Sequence, residues 1–277
     1  MQTLAQIKTI LESRGLRPLK SLGQNFLTDH NLIRKLVDAA AIVPGETILE
    51  IGPGTGTMTE ELLARGARVV AAEMDRGLSE HLRAHFADRP NFTLVEGDCL
   101  DTKHALAPAL VEAIGDRPFK LVSNLPYGAG TPVMMILLAD YPRCSGLFVT
   151  IQREVADRLK GAPGTKDYGP LSVLAQVTAE FEYVADLPPQ CFWPQPDVTS
   201  AMVALRRRPA PLCSNPRKLL SFLVKLFERR RKQLGAVLGR DVSLPEGVEP
   251  QVRAEALPVP QLVRLFEHMP PETLDCS

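Results

Sequence analysis

No run of apolar residues in this 277-residue chain approaches the roughly 20 that a membrane-spanning helix needs. The opening MQTLAQIKTILESRG lacks the charged-then-apolar layout of a secretion signal. It reads as a short helix capped by Thr3. Cysteine is sparse: Cys99, Cys144, Cys191, Cys213 and Cys276 are scattered, and no CxxC pair occurs. Neither a disulfide framework nor a zinc site is expected, and a reducing cytoplasm is the simple reading. No metal-ligand cluster and no nucleophile triad is visible. His81, His85 and His104 fall on expected helices without a partner pattern, which predicts surface positions. An excess of charge is missing too, since Lys plus Arg and Asp plus Glu both count 32. That balance counts mildly against a nucleic-acid partner. The average hides local runs, however: Arg14, Arg17 and Lys20; Arg206-Arg207-Arg208; and Arg229-Arg230-Arg231-Lys232. A charge run is often a solvated face. Three around one site would track a phosphate backbone.

What remains is an ordinary globular composition, 45% hydrophobic and 23% charged, long enough for one α/β domain with a small appendage. Short β-type runs occur at Thr47–Ile51, Arg68–Ala72, Phe92–Val95, Lys120–Ser123 and Gly146–Ile151. Helical-period stretches at 28–41, 57–64, 76–86, 105–114 and 132–139 separate them. This alternation predicts a parallel sheet with helices on both faces. Helices to Lys160 and over 171–179 follow, then strands at 182–185 and 201–205. At Arg206 the composition shifts to a proline-containing linker. A single helix is then predicted from Pro216 to about Gly239, with two more at 250–256 and 259–269. The expected domains are residues 1–205, α/β, and residues 206–277, helical.

The turn Glu50-Ile51-Gly52-Pro53-Gly54-Thr55-Gly56 follows a strand and precedes a helix. Glycines there let backbone approach a ligand, and the helix start supplies free N–H donors. Glu73 ends the next strand, where a carboxylate accepts from ribose hydroxyls. Gly97-Asp98 follows the third strand, and Asp98 can accept from an adenine amine. Acidic groups along three strand ends suit a cationic adenosyl ligand and would repel a pyrophosphate. The spacing also departs from GxGxxG. Both points favour S-adenosylmethionine over a nicotinamide cofactor.

After the fourth strand comes Asn124-Leu125-Pro126-Tyr127. An aromatic amine is a poor nucleophile because its lone pair is delocalised. The Asn124 side-chain oxygen and the carbonyl of Leu125 or Pro126 could draw its hydrogens out of plane, and Tyr127 could stack on the base. A target base must be unpaired or flipped out to reach such a site. Phe192-Trp193-Pro194-Gln195-Pro196 offers a second aromatic wall on a stiff loop. Core packing of the two aromatics is its plain alternative.

With these residues assembled, the chain resembles the KsgA family of ribosomal RNA adenine dimethyltransferases from about Leu16 to Phe266. The resemblance is carried by Gly23-Gln24-Asn25-Phe26-Leu27-Thr28-Asp29, EIGPGTG, Glu73–Arg76, Gly97-Asp98 and Asn124–Tyr127. Tyr168-Gly169, Leu171–Leu174, Phe192–Pro196 and Phe227-x-x-Arg230-Arg231-Lys232 extend it. It implies a Rossmann-like class I methyltransferase sheet with a small α-helical C-terminal domain. It implies cofactor contacts at Asn25, Leu27, Gly52, Gly54, Glu73, Asp98 and Asn124, with Leu125, Pro126, Tyr127 and Phe192 handling the target base. It further implies dimethylation of two adjacent adenosines in a 3′-terminal hairpin loop of 16S rRNA, within an immature small ribosomal subunit, with the helical C-terminal domain contacting RNA. A monomer that uses no metal and no membrane is expected. Three departures stand out: Gly128-Ala129-Gly130 where Asn-Ile-Ser is usual, Pro170 where Arg is usual, and no Asn in Leu234-Gly235-Ala236. Two alternatives stay open. One is a large-subunit rRNA methyltransferase of the macrolide-resistance type, although such relatives tend to carry Ile at the position of Leu125. The other is a ribosome-assembly binding factor with reduced catalysis.

Overall fold

A computed structural model describes residues 1–19, 22–239 and 242–270. Lys20 and Cys276 lie outside the described residues. The elements are α1 (Leu4–Ser13), β1 (Phe26–Leu27), α2 (His30–Ala39), β2 (Thr47–Ile51), α3 (Thr57–Ala64), β3 (Arg68–Glu73), α4 (Arg76–His85) and β4 (Phe92–Glu96). A small hairpin, β5 (Leu100–Thr102) and β6 (Ala105–Leu106), leads to α5 (Pro108–Ile114), β7 (Phe119–Asn124), α6 (Tyr127–Asp140) and β8 (Cys144–Gln152). Then come α7 (Arg153–Leu159), α8 (Pro170–Thr178), β9 (Ala179–Leu187), β10 (Phe192–Trp193), β11 (Ser200–Arg207), α9 (Pro216–Glu228), α10 (Leu234–Leu238) and α11 (Val259–His268).

The main sheet has seven strands in the order β4-β3-β2-β7-β8-β11-β9. Strands β4, β3, β2, β7 and β8 run parallel, and β11 is antiparallel to β8. All five residues of β2 are buried, as expected of a central parallel strand covered on both faces. From β2 the chain winds outward to β3 and β4, then returns to β7 on the other side. Right-handed crossovers in opposite directions put helices on both faces. The reversal between β2 and β7 is the topological switch point, and ligands of such sheets lie beyond the carboxyl ends of the strands there. Helix α2 shows how a helix docks. Asp29 caps it by accepting from the amides of Asn31 and Leu32, and Ile33, Leu36 and Val37 form its buried stripe. These join Ile48, Val122, Phe148 and Met202 in one core cluster.

The chain forms two compact units. One comprises Met1–Ile136, Arg143–Arg153 and Glu182–Arg206; the other comprises Leu137–Pro142, Glu154–Phe181 and the described chain from Arg207 onward. A single cut between residues 205 and 206 therefore does not describe the division. The reason is α8 and the turn before it: Tyr168, Val173 and Val177 are buried against Leu219, Leu223 and Leu262 of the C-terminal helices. The Tyr168 hydroxyl, its pKa raised by burial, donates to the Leu257 carbonyl at 2.8 Å.

Several boundaries differ from the sequence reading. Helix α6 begins at Tyr127 rather than near Pro132. The predicted helix over 216–239 is two helices, interrupted after Glu228. There the Arg230 guanidinium turns inward to Glu255 at 2.7 Å and to the carbonyls of Thr165 and Lys166, both at 3.2 Å. Leu234 and Gly235 then donate their amides to the carbonyls of Val252 and Pro250. Residues 250–256 hold only a short 3-10 turn at Ala254–Ala256. Pro170 occupies the first turn of α8, a position whose amide needs no intrahelical partner. Among the described residues, Cys99, Cys144, Cys191 and Cys213 are not joined in disulfides. No helix among the described residues is long and apolar enough to cross a membrane.

Candidate active site

A cavity of about 500 Å³ opens at the switch point, within the usual range for small-molecule sites. Its lining includes Asn25, Leu27, Gly52, Gly54, Glu73, Asp98, Asn124, Pro126 and Tyr127. Every residue expected to contact cofactor is thus on one cavity, although they come from separate stretches of chain.

The glycine turn is built for close approach. Gly52 and Gly54 have φ of 66° and 62°, the left-handed region that side chains disfavour. A Cβ on Gly54 would sit 2.9 Å from the ring of Phe26. Glu73 organises the same turn from below: Oε2 accepts from the Gly54 amide at 3.0 Å and Oε1 from the Asp75 amide at 2.9 Å. Burial pushes the Glu73 carboxyl up, against the pull of those amides. Asp98 is at the rim, and its Oδ1 accepts from the Leu100 amide at 2.9 Å.

Glu50 emerges as a site residue that the sequence reading treated only as the start of the motif. It is 2% exposed, lines the cavity, and accepts a 2.7 Å bond from the Thr59 hydroxyl. Burial, opposed by that bond and reinforced by Glu73, raises its pKa to about 8. The signal was an acidic residue inside an otherwise apolar central strand. His81 was expected at the surface and is instead buried, with its Nε2 3.2 Å from the Thr55 carbonyl of the glycine turn. The reason is the packing of α4 beneath that turn. His104 lies in the turn between β5 and β6, not on a helix.

Asn124 ends β7. Its Nδ2 donates to the Asn25 carbonyl at 3.0 Å, which leaves Oδ1 as the atom free to accept a ligand hydrogen. The next carbonyls divide sharply. That of Pro126 accepts from the amides of Ala129 and Gly130 at 3.1 and 3.0 Å as α6 begins. The Leu125 carbonyl receives no bond among the described residues. Of the two carbonyls expected to hold an amine, only that of Leu125 has its lone pairs available. The Leu125 side chain is buried, 2% exposed, and anchors the motif in the core. Tyr127 opens α6 on the cavity wall, with its hydroxyl 2.8 Å from Ser200 Oγ. Gly128 lines the cavity and has open space where a Cβ would stand.

Phe192 does not line the cavity. It is 3% exposed, opposite Leu27 in the two-residue β1–β10 ladder, and part of the core around α2. Its ring packs in that core. Trp193 stacks on Phe26 at 6.3 Å between ring centroids, with Lys8 Nζ 5.3 Å from its ring.

The basic runs also separate. Arg206 pairs with Glu182 and Arg208 with Glu180. Arg207 donates to the carbonyls of Leu137, Leu138 and Tyr141 at the end of α6. These three arginines are engaged within the protein. Arg14, Arg17, Arg229, Arg231 and Lys232 lie toward the surface.

A family model described as ribosomal RNA adenine dimethylase matches residues 16–270. Ribosomal RNA small subunit methyltransferase A of Phenylobacterium zucineum is 38% identical over 272 residues, 96% of this chain and 93% of its own length. The protein of the same name from Moorella thermoacetica is 38% identical over 262 residues, 90% of this chain and 91% of its own. A dimethyladenosine transferase from Plasmodium falciparum has the same fold, with a TM-score of 0.70 at 21% identity over 87% of this chain and 95% of that one. The 23S rRNA methyltransferase ErmE aligns with a TM-score of 0.65 at 29% identity over 88% of this chain and 99% of that one.

Proposed function

The chain belongs to the ribosomal RNA adenine dimethylase family, and from that membership we propose that it uses S-adenosylmethionine to dimethylate two adjacent adenosines in a 3′-terminal hairpin loop of 16S rRNA. Its substrate is an immature small ribosomal subunit, met in the cytoplasm. The relatives named for the small subunit are 38% identical, against 29% for ErmE, which favours the small-subunit target.

The residues fit the cofactor. Gly52 and Gly54 leave bare backbone where an adenosyl ligand must approach, and Glu50 and Glu73 are buried acids facing a cationic ligand. When bound, S-adenosylmethionine supplies a methyl group on positively charged sulfur, which an amine displaces in line. Glu73 accepts from the ribose hydroxyls, Asp98 from the adenine amine, and the Asn25 and Leu27 stretch closes the cavity wall. Asn124 Oδ1 and the Leu125 carbonyl accept the two hydrogens of the target amine and restore its nucleophilicity. Tyr127 clamps the flipped base. The amine proton passes to solvent.

The observation that carries this reading is the Asn124 amide. Its nitrogen is tied to Asn25 at 3.0 Å, so its oxygen is preorganised as an acceptor before any base arrives. The test is to incubate the protein with labelled S-adenosylmethionine and either unmethylated small subunits or unmethylated large-subunit rRNA, then analyse the nucleosides. Dimethyladenosine from small subunits alone is the expected product. Label in large-subunit rRNA would transfer the chain to the resistance-type branch. Asn124→Ala should abolish transfer while cofactor affinity stays within about tenfold; unchanged turnover would remove Asn124 from the chemistry.

A further inference from the structure

We propose that Thr150 is a further positioning residue for methyl transfer: its hydroxyl accepts the second amide hydrogen of Asn124 when the target amine is seated. This rests on the reading of Asn124 as the acceptor for that amine.

Strand β8 runs parallel to β7 with Thr150 directly opposite Asn124. Residues opposite one another in a ladder project from the same face, on strands about 4.8 Å apart. The backbone of the pair is held at its far side too, because the Thr150 carbonyl accepts from the Leu125 amide at 3.1 Å. Thr150 is 0% exposed, and its Oγ1 is a buried side-chain atom without a hydrogen-bond partner among the described residues. Nearby buried hydroxyls differ: Ser123 donates to the Ile51 carbonyl at 2.6 Å, and Ser200 meets the Tyr127 hydroxyl at 2.8 Å.

Asn124 is the complementary half. Its Nδ2 carries two hydrogens. One goes to the Asn25 carbonyl, and no described group takes the other. An orphan hydroxyl therefore stands beside a half-committed amide, on the same sheet face and in register. A buried hydroxyl left without a partner costs stability, and such groups ask for a functional account. A bond absent at rest and made as the amide adjusts to the amine would act on the transition state. That is the condition for raising kcat rather than binding alone. Donation from both amide hydrogens also leaves Oδ1 more negative, a better acceptor for the amine.

The test compares wild-type protein with Thr150→Val, which keeps the shape and removes the hydroxyl, with Thr150→Ser, which keeps the hydroxyl, and with Asn124→Ala. Single-turnover transfer to unmethylated small subunits at saturating cofactor is measured, together with cofactor Kd and melting temperature. Thr150→Val should transfer about tenfold more slowly, with Kd within about twofold and a melting temperature equal to or above wild type. Thr150→Ser should recover most of the rate. Wild-type transfer by Thr150→Val beside an inactive Asn124→Ala would overturn the role of Thr150 and leave that of Asn124 standing. Wild-type transfer by Asn124→Ala would overturn both. A slow Thr150→Val that also melts lower, with Thr150→Ser equally slow, would reveal a packing defect and overturn the proposal.

Discussion

A Cβ built on Gly52 would lie 2.9 Å from Cγ of Pro126, so the glycine turn after β2 and the motif after β7 touch across the switch point. The glycine turn and the Asn124–Tyr127 motif thus support one another through an approach that only a residue without a side chain allows.

Gly52→Ala should therefore damage both halves at once. The backbone φ of 66° is already unfavourable for alanine, and the clash with Pro126 adds to it. The expected loss is about 1–3 kcal/mol of stability and more than about tenfold in cofactor affinity. Thermal melts and calorimetric titration measure the two. Affinity equal to wild type would mean that the two loops move independently.

Glu50 predicts a pH dependence of the cofactor-free protein. Its pKa is raised from 4.5 to about 8 by burial. A raised carboxyl contributes its stability in full at pH below about 4.5, and loses it progressively as pH climbs through about 8. Glu50→Gln cannot ionise and keeps an oxygen for Thr59. Its melting temperature relative to wild type should rise between pH 5 and 8, at most by the equivalent of about 1.4 kcal/mol per pH unit. A constant difference over that range would place Glu50 in a wetter setting than its 2% exposure implies.

Tyr127 carries a ring and a hydroxyl with separable duties. The hydroxyl, whose pKa burial raises, is bonded to Ser200. Tyr127→Phe should cost about 1 kcal/mol of stability and keep kcat/KM within several-fold, since the ring remains. Tyr127→Ala should lose about 1–3 kcal/mol of base stacking, read as a larger fall in kcat/KM. Equal losses in the two variants would shift the role from the ring to the hydroxyl.

The basic residues divide into two groups with different readouts. Arg207→Ala and Arg230→Ala remove bonds to helix-end carbonyls and to Glu255. They should lower the melting temperature and leave the salt slope of rRNA binding unchanged. Arg231→Ala with Lys232→Ala should do the reverse, flattening the slope by about 0.7–0.9 for each phosphate that is no longer neutralised. An unchanged slope in that pair would direct the search to Arg14 and Arg17.

Much of this molecule was legible beforehand, for identifiable reasons. The parallel strands at 47–51, 68–72, 92–95 and 120–123 are short apolar runs between helical periods, and each recurs within a residue or two. The glycine turn, Glu73 and Asn124–Tyr127 are local motifs, and local motifs survive folding intact. What escaped depended on distant partners. Phe192 could be read as a wall or as core, and its burial in the cluster around α2 comes from a pairing with Leu27 that local sequence does not announce. The break after Glu228 depends on Glu255 and on carbonyls some 60 residues earlier in the chain. The Arg206–Arg208 run could be read as a solvated face or as part of a surface for phosphate, whereas each guanidinium answers to a carboxylate or a helix end fixed elsewhere in the fold. His81 is hidden because a turn some 26 residues away lies over it.

The short β1–β10 ladder joins Leu27 to Phe192 and Phe26 to Trp193. Asn25, whose carbonyl accepts from the Asn124 amide, immediately precedes that ladder. In the folding chain, then, the stretch beside Asn25 takes its strand partner from a segment more than 160 residues further along. A chain that has formed the glycine turn and even β7 still lacks the ladder that pins the residues next to Asn25.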